Sequence, residues 1–431
     1  MTTLDEGEAA KGAARTNIRA GLVGLIITTI VALANFPILA RGLGVDGRGS
    51  FALVLAVSEI ATNLFRFGIP EAVALLDKER MASGRGIFRS AQSIAFPMLL
   101  ISVPCSAVLY MTILGSLPPS ERWLAAGLVA WSPVFDTLGL ARARFMVSRS
   151  DAVGMALSAA LPSVVSFVGF VILFATGALT VFSAISVTIA ASFSSYLVSF
   201  LRMRLEGAAR PSPTRQMFSL AWRGAPYSAM EAVNLRLDQA VIPTLVGSAA
   251  LGTYSVANSL ANPLVRFGTV LSGGLYAEVK LSAPDAGRSA AGAAVRRAAA
   301  IVIVAGTSAM LLSPFAISAL AGPAYSGALP MTLVLLPASG ALVLAIVLAN
   351  LLGALGKPAL ASWSQVGGLA VTLVLLVPAI LLAGALGAAV VSLLSYGTRA
   401  ALAFLLIRRL GVTQCIPSAD DFRWVLRLVS R

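Results

Sequence analysis

Apolar residues run in long blocks from Ile18 to Ile407, broken by short polar stretches. A bilayer core about 30 Å thick takes about 20 helical residues, so each block is long enough to cross. The pattern predicts spans over Ile18–Ala40, Ser50–Leu75, Ser90–Leu114, Trp123–Ala141, Ala152–Phe174, Val181–Leu201, Ser219–Val246, Gly252–Ala277, Ala298–Leu320, Ala328–Leu352, Ala359–Ala383 and Leu386–Ile407. The expected class is an all-α integral membrane protein of about twelve transmembrane helices. The finest division is the last, where Gly384 and Gly387 bracket a very short connection. The polar start, Met1 to Arg15, lacks the basic and short apolar regions of a signal peptide, so the first block reads as a retained span.

Composition agrees: 58% of residues are hydrophobic, 12% are charged and the mean hydropathy is +0.89. The net charge of +14 would suggest nucleic acid in a soluble chain. Here it follows the excess of Lys and Arg in cytoplasmic loops. With the N-terminus inside, 25 of the 32 basic residues fall on the cytoplasmic side, three (Arg41, Arg48, Arg122) on the other, and four within spans. That asymmetry predicts a cytoplasmic (inner) membrane protein with both termini in the cytoplasm. No nucleic-acid partner is expected. There is no histidine, and the two cysteines, Cys105 and Cys415, lie in unlike surroundings. Histidine-based zinc sites, common triads and a disulfide are therefore not expected, nor is enzymatic activity.

Internal similarity divides the chain. Gly44-Val-Asp-Gly-Arg-Gly49-Ser50-Phe51 is echoed by Gly247-Ser-Ala-Ala-Leu-Gly252-Thr253-Tyr254. Leu64-Phe-Arg66-Phe-Gly68 is echoed by Leu264-Val-Arg266-Phe-Gly268. The expected organisation is two pseudo-repeated six-helix lobes, 1–205 and 219–411, a basic cytoplasmic linker at 206–218, and a tail at 412–431. Repeated lobes of this kind bind substrate between them in many transporters. In the tail, Ser418 with Asp421 reads as a helix start. Phe422, Val425, Leu426 and Val429 share one face opposite Arg423, Arg427 and Arg431, as in a short amphipathic helix lying on an anionic leaflet.

Ionisable residues inside spans are costly and need a reason. Counted from the outer ends of their spans, Arg66, Arg266, Arg399 and Arg236 lie roughly 24, 21, 20 and 15 Å deep. Arginine holds its charge and grips phosphate with two prongs, so these four are the candidate substrate-binding residues. Four acids also fall in spans: Glu59, Asp136, Glu231 and Asp238. They are candidates for proton or sodium coupling, or for pairing with the arginines. No metal or other cofactor is expected. Prolines 97, 104, 133, 162, 226, 263, 314, 337 and 378 interrupt the spans, as hinges or as ordinary membrane-helix packing.

The stretch with Ala225-Pro226, Asn234-Leu-Arg236-Leu-Asp238, Gly247, Leu251-Gly252-Thr-Tyr254-Ser255 and Ala257 resembles the bacterial polysaccharide flippases, the O-antigen and exopolysaccharide unit transporters of the multidrug/oligosaccharidyl-lipid/polysaccharide exporter superfamily. Leu39-Ala40-Arg41-Gly-Leu-Gly44, Leu320-Ala-Gly-Pro323-Ala-Tyr325 and Gly353-Ala-Leu-Gly356-Lys357-Pro358 extend the resemblance over most of the chain. The resemblance implies two six-helix bundles around a central cavity. It implies translocation of an undecaprenyl-diphosphate-linked oligosaccharide across the cytoplasmic membrane by alternating access. Lipid II flippases are relatives with additional spans, which a count of twelve disfavours. The implied partners are the lipid-linked oligosaccharide, membrane lipids, and polysaccharide polymerase and export machinery. The alternatives are a drug or cation antiporter of the same superfamily, or a membrane-embedded glycan ligase or glycosyltransferase. The latter would need catalytic acids in sizeable outer loops, where only Asp46 and Glu121 are found.

Overall fold

A computed structural model describes residues 2–78, 84–111, 118–148, 151–202, 214–281 and 287–429. Most of the expected linker lies outside the described residues. Every regular element among them is helical. Only backbone satisfied within its own segment survives in hydrocarbon, and a helix provides that.

α1 (Thr2–Arg66) is two helices joined at Gly44, whose φ of 66° and ψ of −177° only glycine adopts readily. α2 (Ile69–Lys78) continues the second of these after a break. α3 (Gly84–Ala95) and α4 (Leu99–Met111) are separated by a tight turn at Phe96–Met98, centred on Pro97. α5 (Pro119–Ser148), α6 (Ala152–Ala175), α7 (Val181–Arg202), α8 (Thr214–Leu245), α9 (Ser248–Leu281), α10 (Gly287–Ala316) and α11 (Ala328–Ala354) follow. α12 (Pro358–Arg409) is a hairpin, reversing at Ala383 and Gly384. Its legs touch along their length: Ser395 Oγ donates to the Gly368 carbonyl at 2.8 Å, and a Cβ on Gly367 would strike Leu402. α13 (Ala419–Val429) ends the chain.

Seven segments are long and apolar enough to cross a membrane. Two of them, in α1 and α12, contain the breaks just described and exceed one bilayer thickness. Separating their legs and adding the shorter α6 and the more polar α8 and α9 gives the twelve expected crossings. The chain is a multi-pass membrane protein. Its large exposed side chains, such as Leu382, Leu100 and Leu311, are apolar, as a lipid solvent requires.

Packing divides the chain into two compact units, and the border falls inside α8 rather than in the linker. Unit 1 holds residues 1–43 and 50–240; unit 2 holds 44–49 and 241–431. The first turns of α8 belong to unit 1 because Met217 and Ala221 pack into a core with Ile69, Leu76, Phe88 and Leu138. A second core of unit 1 gathers Leu39, Phe51, Phe170 and Ile185. In unit 2, α9, α10, α11 and α12 close around Leu275, Val295, Val347, Leu351 and Ile407.

Residues 44–49 join unit 2 through the repeated glycine motif. A Cβ on Gly49 would run into the carbonyl of Ser248, and a Cβ on Gly252 into the carbonyl of Val45. The two copies of the motif therefore meet reciprocally, each glycine against the residue four before the other. Asp46 Oδ1 accepts from Ser248 Oγ at 2.6 Å, and Arg48 Nη2 donates to Ser259 Oγ at 3.0 Å, fixing the register.

The tail folds back on unit 2. Val425 and Phe422 of α13 pack on Ala300, Ile301 and Val304 of α10. Arg296 Nη1 donates to the Gln414 carbonyl at 2.8 Å and its Nε lies 3.4 Å from Asp421. Asp421 Oδ2 also accepts from Ser418 N and Oγ, both at 2.8 Å, the helix start expected from sequence. The face of α13 bearing Phe422 and Val425 thus meets α10, where the sequence suggested a leaflet. Burial alone would raise the Asp421 carboxyl. The two Ser418 hydrogen bonds and the Arg296 and Arg297 charges outweigh it and hold the group below the usual carboxylate range.

Two expectations follow. Gly252→Ala and Gly49→Ala should each lower the midpoint of thermal unfolding, by about 1–3 kcal/mol of overpacking, because backbone rather than a flexible side chain blocks the new methyl. Equal midpoints for wild type and Gly252→Ala would contradict that close approach. For the tail, a depressed carboxyl contributes stability above its unfolded pKa and loses it as pH falls through its folded one. The protection factors of amides in 419–429, corrected for the intrinsic pH dependence of exchange, should therefore be high near neutrality and fall in acid below about pH 4. Asp421→Asn should lower that protection near neutrality by about 1 kcal/mol and remove its fall in acid.

Candidate functional site

The charged cluster of unit 1 is built where α1 ends. Phe67 has φ 49° and Gly68 φ 68°, so the helix stops at Arg66 and restarts at Ile69. Gly68 is needed there, since a Cβ would sit 2.6 Å from the Ala221 carbonyl of α8. Phe67 stacks on Trp222 at 5.9 Å, pinning the break. The guanidinium of Arg66 is thereby held at a helix C-terminus, where the aligned peptide dipoles favour a cation.

Three carboxylates act on Arg66 through space: Glu71 of α2 most, then Asp136 of α5 and Glu59 of α1, with Arg144 opposing. None is bonded to it. Arg66 is half-buried, makes no ion pair among the described residues, and its Nε is enclosed with no acceptor. Glu59 instead accepts from Arg236 Nε of α8 at 2.8 Å. Asp136 is hydrogen-bonded to Ser192 of α7. Unit 1 thus gathers Glu59, Arg66, Asp136 and Arg236 from α1, α5 and α8, one guanidinium engaged and one not.

Asp238 is buried and accepts from the Gln239 amide at 2.7 Å. Glu231 is half-buried on the same helix. Seven residues separate them, roughly 10 Å of rise, too far for both to hold one bare cation directly. Arg266 and Arg399 belong to unit 2. Arg266 is exposed on α9, which runs unbroken through its Arg-Phe-Gly triplet, where Gly268 packs on Val343. Arg399 is 1% exposed, on the second leg of α12, beside the buried Ser392 and Ser395. Among the described residues no group of His, Cys, Asp or Glu could hold a metal.

Three charged residues escaped the sequence reading. Glu71 sits in the first turn of α2, within a span whose acids were counted without it. By sequence Arg48 falls on the outer side and Arg142 on the basic cytoplasmic side, yet they are 8% and 2% exposed. For Arg142 a signal existed: Trp131, Phe135, Leu138 and Arg142 recur at helical spacing, so the face continues past the expected end of the span at Ala141.

Solved structures share this fold at low identity. An inward-facing multidrug resistance MATE family transporter of the MOP superfamily aligns over 90% of this chain and 97% of its own, with TM-score 0.65 and 16% identity. The lipid II flippase MurJ in an inward closed conformation aligns over 95% and 88%, with TM-score 0.69 and 11% identity. A MOP superfamily transporter from Pyrococcus furiosus aligns over 92% and 95%, with TM-score 0.58 and 15% identity. A search of curated proteins found no match. Residues 15–273 match the family described as "Polysaccharide biosynthesis protein". That match spans all of unit 1 after the N-terminal residues, including the Arg66 cluster, and continues into α9, so the chain belongs to the polysaccharide biosynthesis protein family.

Proposed function

We propose that this protein carries an undecaprenyl-diphosphate-linked oligosaccharide across the cytoplasmic membrane by alternating access, with both termini in the cytoplasm. The observation that carries the reading is Arg66: a guanidinium within a membrane span, ringed by acids yet bonded to none. A structural charge in hydrocarbon normally ends in an ion pair, as Arg236 does with Glu59. A cation left available suits an anionic cargo that arrives and leaves. Membership of a polysaccharide biosynthesis family supports a glycan-bearing cargo, and a fold shared with a lipid II flippase supports a lipid-linked one.

The acids around Arg66 have a part in this proposal. They offset its charge while the site is empty, so the resting protein does not hold an isolated cation. A diphosphate displaces that weak through-space attraction with direct hydrogen bonds. Asp136, Glu231 and Asp238 remain the groups proposed for proton or sodium coupling. The geometry favours treating Asp136 apart from the other two, since it alone acts on Arg66. Transport, not glycosyl transfer, is the proposed activity.

Arg66→Gln should cut transport of the lipid-linked unit in proteoliposomes about tenfold or more with the protein still folded, and Arg66→Lys should retain part. Full transport by Arg66→Gln would end the anion-binding reading of this residue. The Glu59–Arg236 pair should behave differently. Arg236→Gln or Glu59→Gln alone should lower folded yield, by about 1 kcal/mol or less at this partly exposed pair, and the double change should restore it. Failure of the double change to restore yield would give the pair a role beyond mutual support.

A further inference from the structure

Unit 1 carries a line of aromatic rings that the Arg66 cluster does not use. On α7, Phe193, Tyr196 and Phe200 recur at i, i+3 and i+7, so they share a face. On α5, Trp131 and Phe135 do the same, and Leu138 and Arg142 continue that face. The rings touch in sequence. Trp131 stacks on Phe135 at 6.0 Å, Phe135 meets Tyr196 edge-on at 5.3 Å and Phe193 at 5.9 Å, and Tyr196 stacks on Phe200 at 6.2 Å. Half of the surface of Trp131, Phe193 and Phe200 remains exposed.

The line ends on Arg142. Its guanidinium carbon lies 4.5 Å from the centre of the Tyr196 ring, 5.1 Å from Phe200 and 5.7 Å from Phe88. Ring faces compensate a cation in part, but they accept no ordinary hydrogen bond. Nε and Nη1 of Arg142 are both enclosed without an acceptor, and among the described residues no carboxylate pairs with it. An enclosed charge with unused donors is the costly arrangement that proteins ordinarily avoid. Of the three walls, Phe88 is buried and Tyr196 half-buried, whereas Phe200 is 52% exposed and free to turn.

We propose that this line and its terminal arginine form a docking track for a phosphate-bearing polyprenyl chain, the lipid portion of the cargo. The hydrocarbon lies along Trp131, Phe135 and Phe193. Phe200 swings aside, and a phosphate oxygen accepts from the donors of Arg142. Charge decides the occupant: an uncharged lipid would satisfy the rings and leave those donors as they are. The proposal rests on the reading of the protein as a carrier of lipid-linked sugars. It adds a second anion contact on unit 1, separate from Arg66, that recognises the carrier lipid and not the sugar.

The test uses the full-length protein in nanodiscs and a polyprenyl monophosphate with a photoreactive group on its chain, beside the matching uncharged polyprenol. Sites of crosslinking are read by mass spectrometry. The phosphate lipid should label residues of α5 and α7 along the track at least several-fold above the alcohol. Arg142→Gln should reduce that ratio to one, and Arg142→Lys should keep most of it. Phe200→Ala should raise phosphate-lipid labelling by opening the cage, which guards against an Arg142 variant that fails to fold. Equal labelling by phosphate and alcohol in wild type, or complete competition by phosphatidylglycerol at equal concentration, would overturn the proposal. Because the probe carries no sugar and the readout is not transport, the two readings part cleanly. Transport intact with no phosphate-dependent labelling sinks the track alone. Labelling without transport of the sugar-bearing lipid sinks the cargo reading and leaves a polyprenyl-phosphate site.

Discussion

A guanidinium cannot shed its proton, so each arginine that this chain takes out of water must be compensated where it stands. Much of the structure around the charged residues can be read as the ways in which that is done. Arg236 has Glu59 at 2.8 Å. Arg48 has the Ser259 hydroxyl at 3.0 Å, and with it the contact that holds residues 44–49 in unit 2. Arg142 has three ring faces in place of an acceptor. Arg66 has a helix C-terminus and the field of three carboxylates, with no bond to any. Arg236 and Arg48 each hold a side-chain acceptor, although Arg48 Nε is enclosed without one. Arg66 and Arg142 have no such partner among the described residues, and those are the positions to which anion binding is assigned.

The same constraint explains the breaks in the helices. A helix in hydrocarbon satisfies its own backbone, so interrupting one needs a replacement for the lost bonds or a residue that turns without them. At Gly44, Gly68 and Gly384 the backbone turns through positive φ, where glycine carries no Cβ penalty. The break at Phe67–Gly68 is also where Arg66 is presented and where α8 comes within reach of the chain. Placement of the charge and placement of the break are thus one feature.

Much of this was legible in the sequence. Apolar block length gave the crossings, including the reversal near Gly384, because span length is dictated by bilayer thickness and little else. The glycine repeat foretold a special contact but not that its two copies would meet each other. Burial of Arg48 and Arg142 was not legible from charge counting, which assigns every terminal arginine to water. Only the helical spacing of Trp131, Phe135 and Leu138 carries Arg142 inward. The tail was half legible. Its helix and its Ser418–Asp421 start follow from local chemistry. The partner of Phe422 and Val425 could not, because α10 and a lipid surface offer the same apolar solvent to an amphipathic face.

The two Arg-Phe-Gly triplets show why a sequence repeat does not guarantee a repeated site. In unit 1 the glycine faces a backbone carbonyl, that of Ala221, and adopts positive φ, so the helix ends and the arginine is left at its C-terminus. In unit 2 the glycine faces the side chain of Val343 and stays helical, so α9 continues and Arg266 projects from an unbroken, exposed surface. The triplet alone therefore does not set the backbone. Both glycines are crowded, since a Cβ would lie 2.6 Å from the Ala221 carbonyl at Gly68 and closer still to Val343 at Gly268. Equivalent residues in the two halves therefore differ in exposure and in backbone. Any role that Arg266 has with an anion must rest on its own surroundings in unit 2, and the argument for Arg66 stands or falls on unit 1.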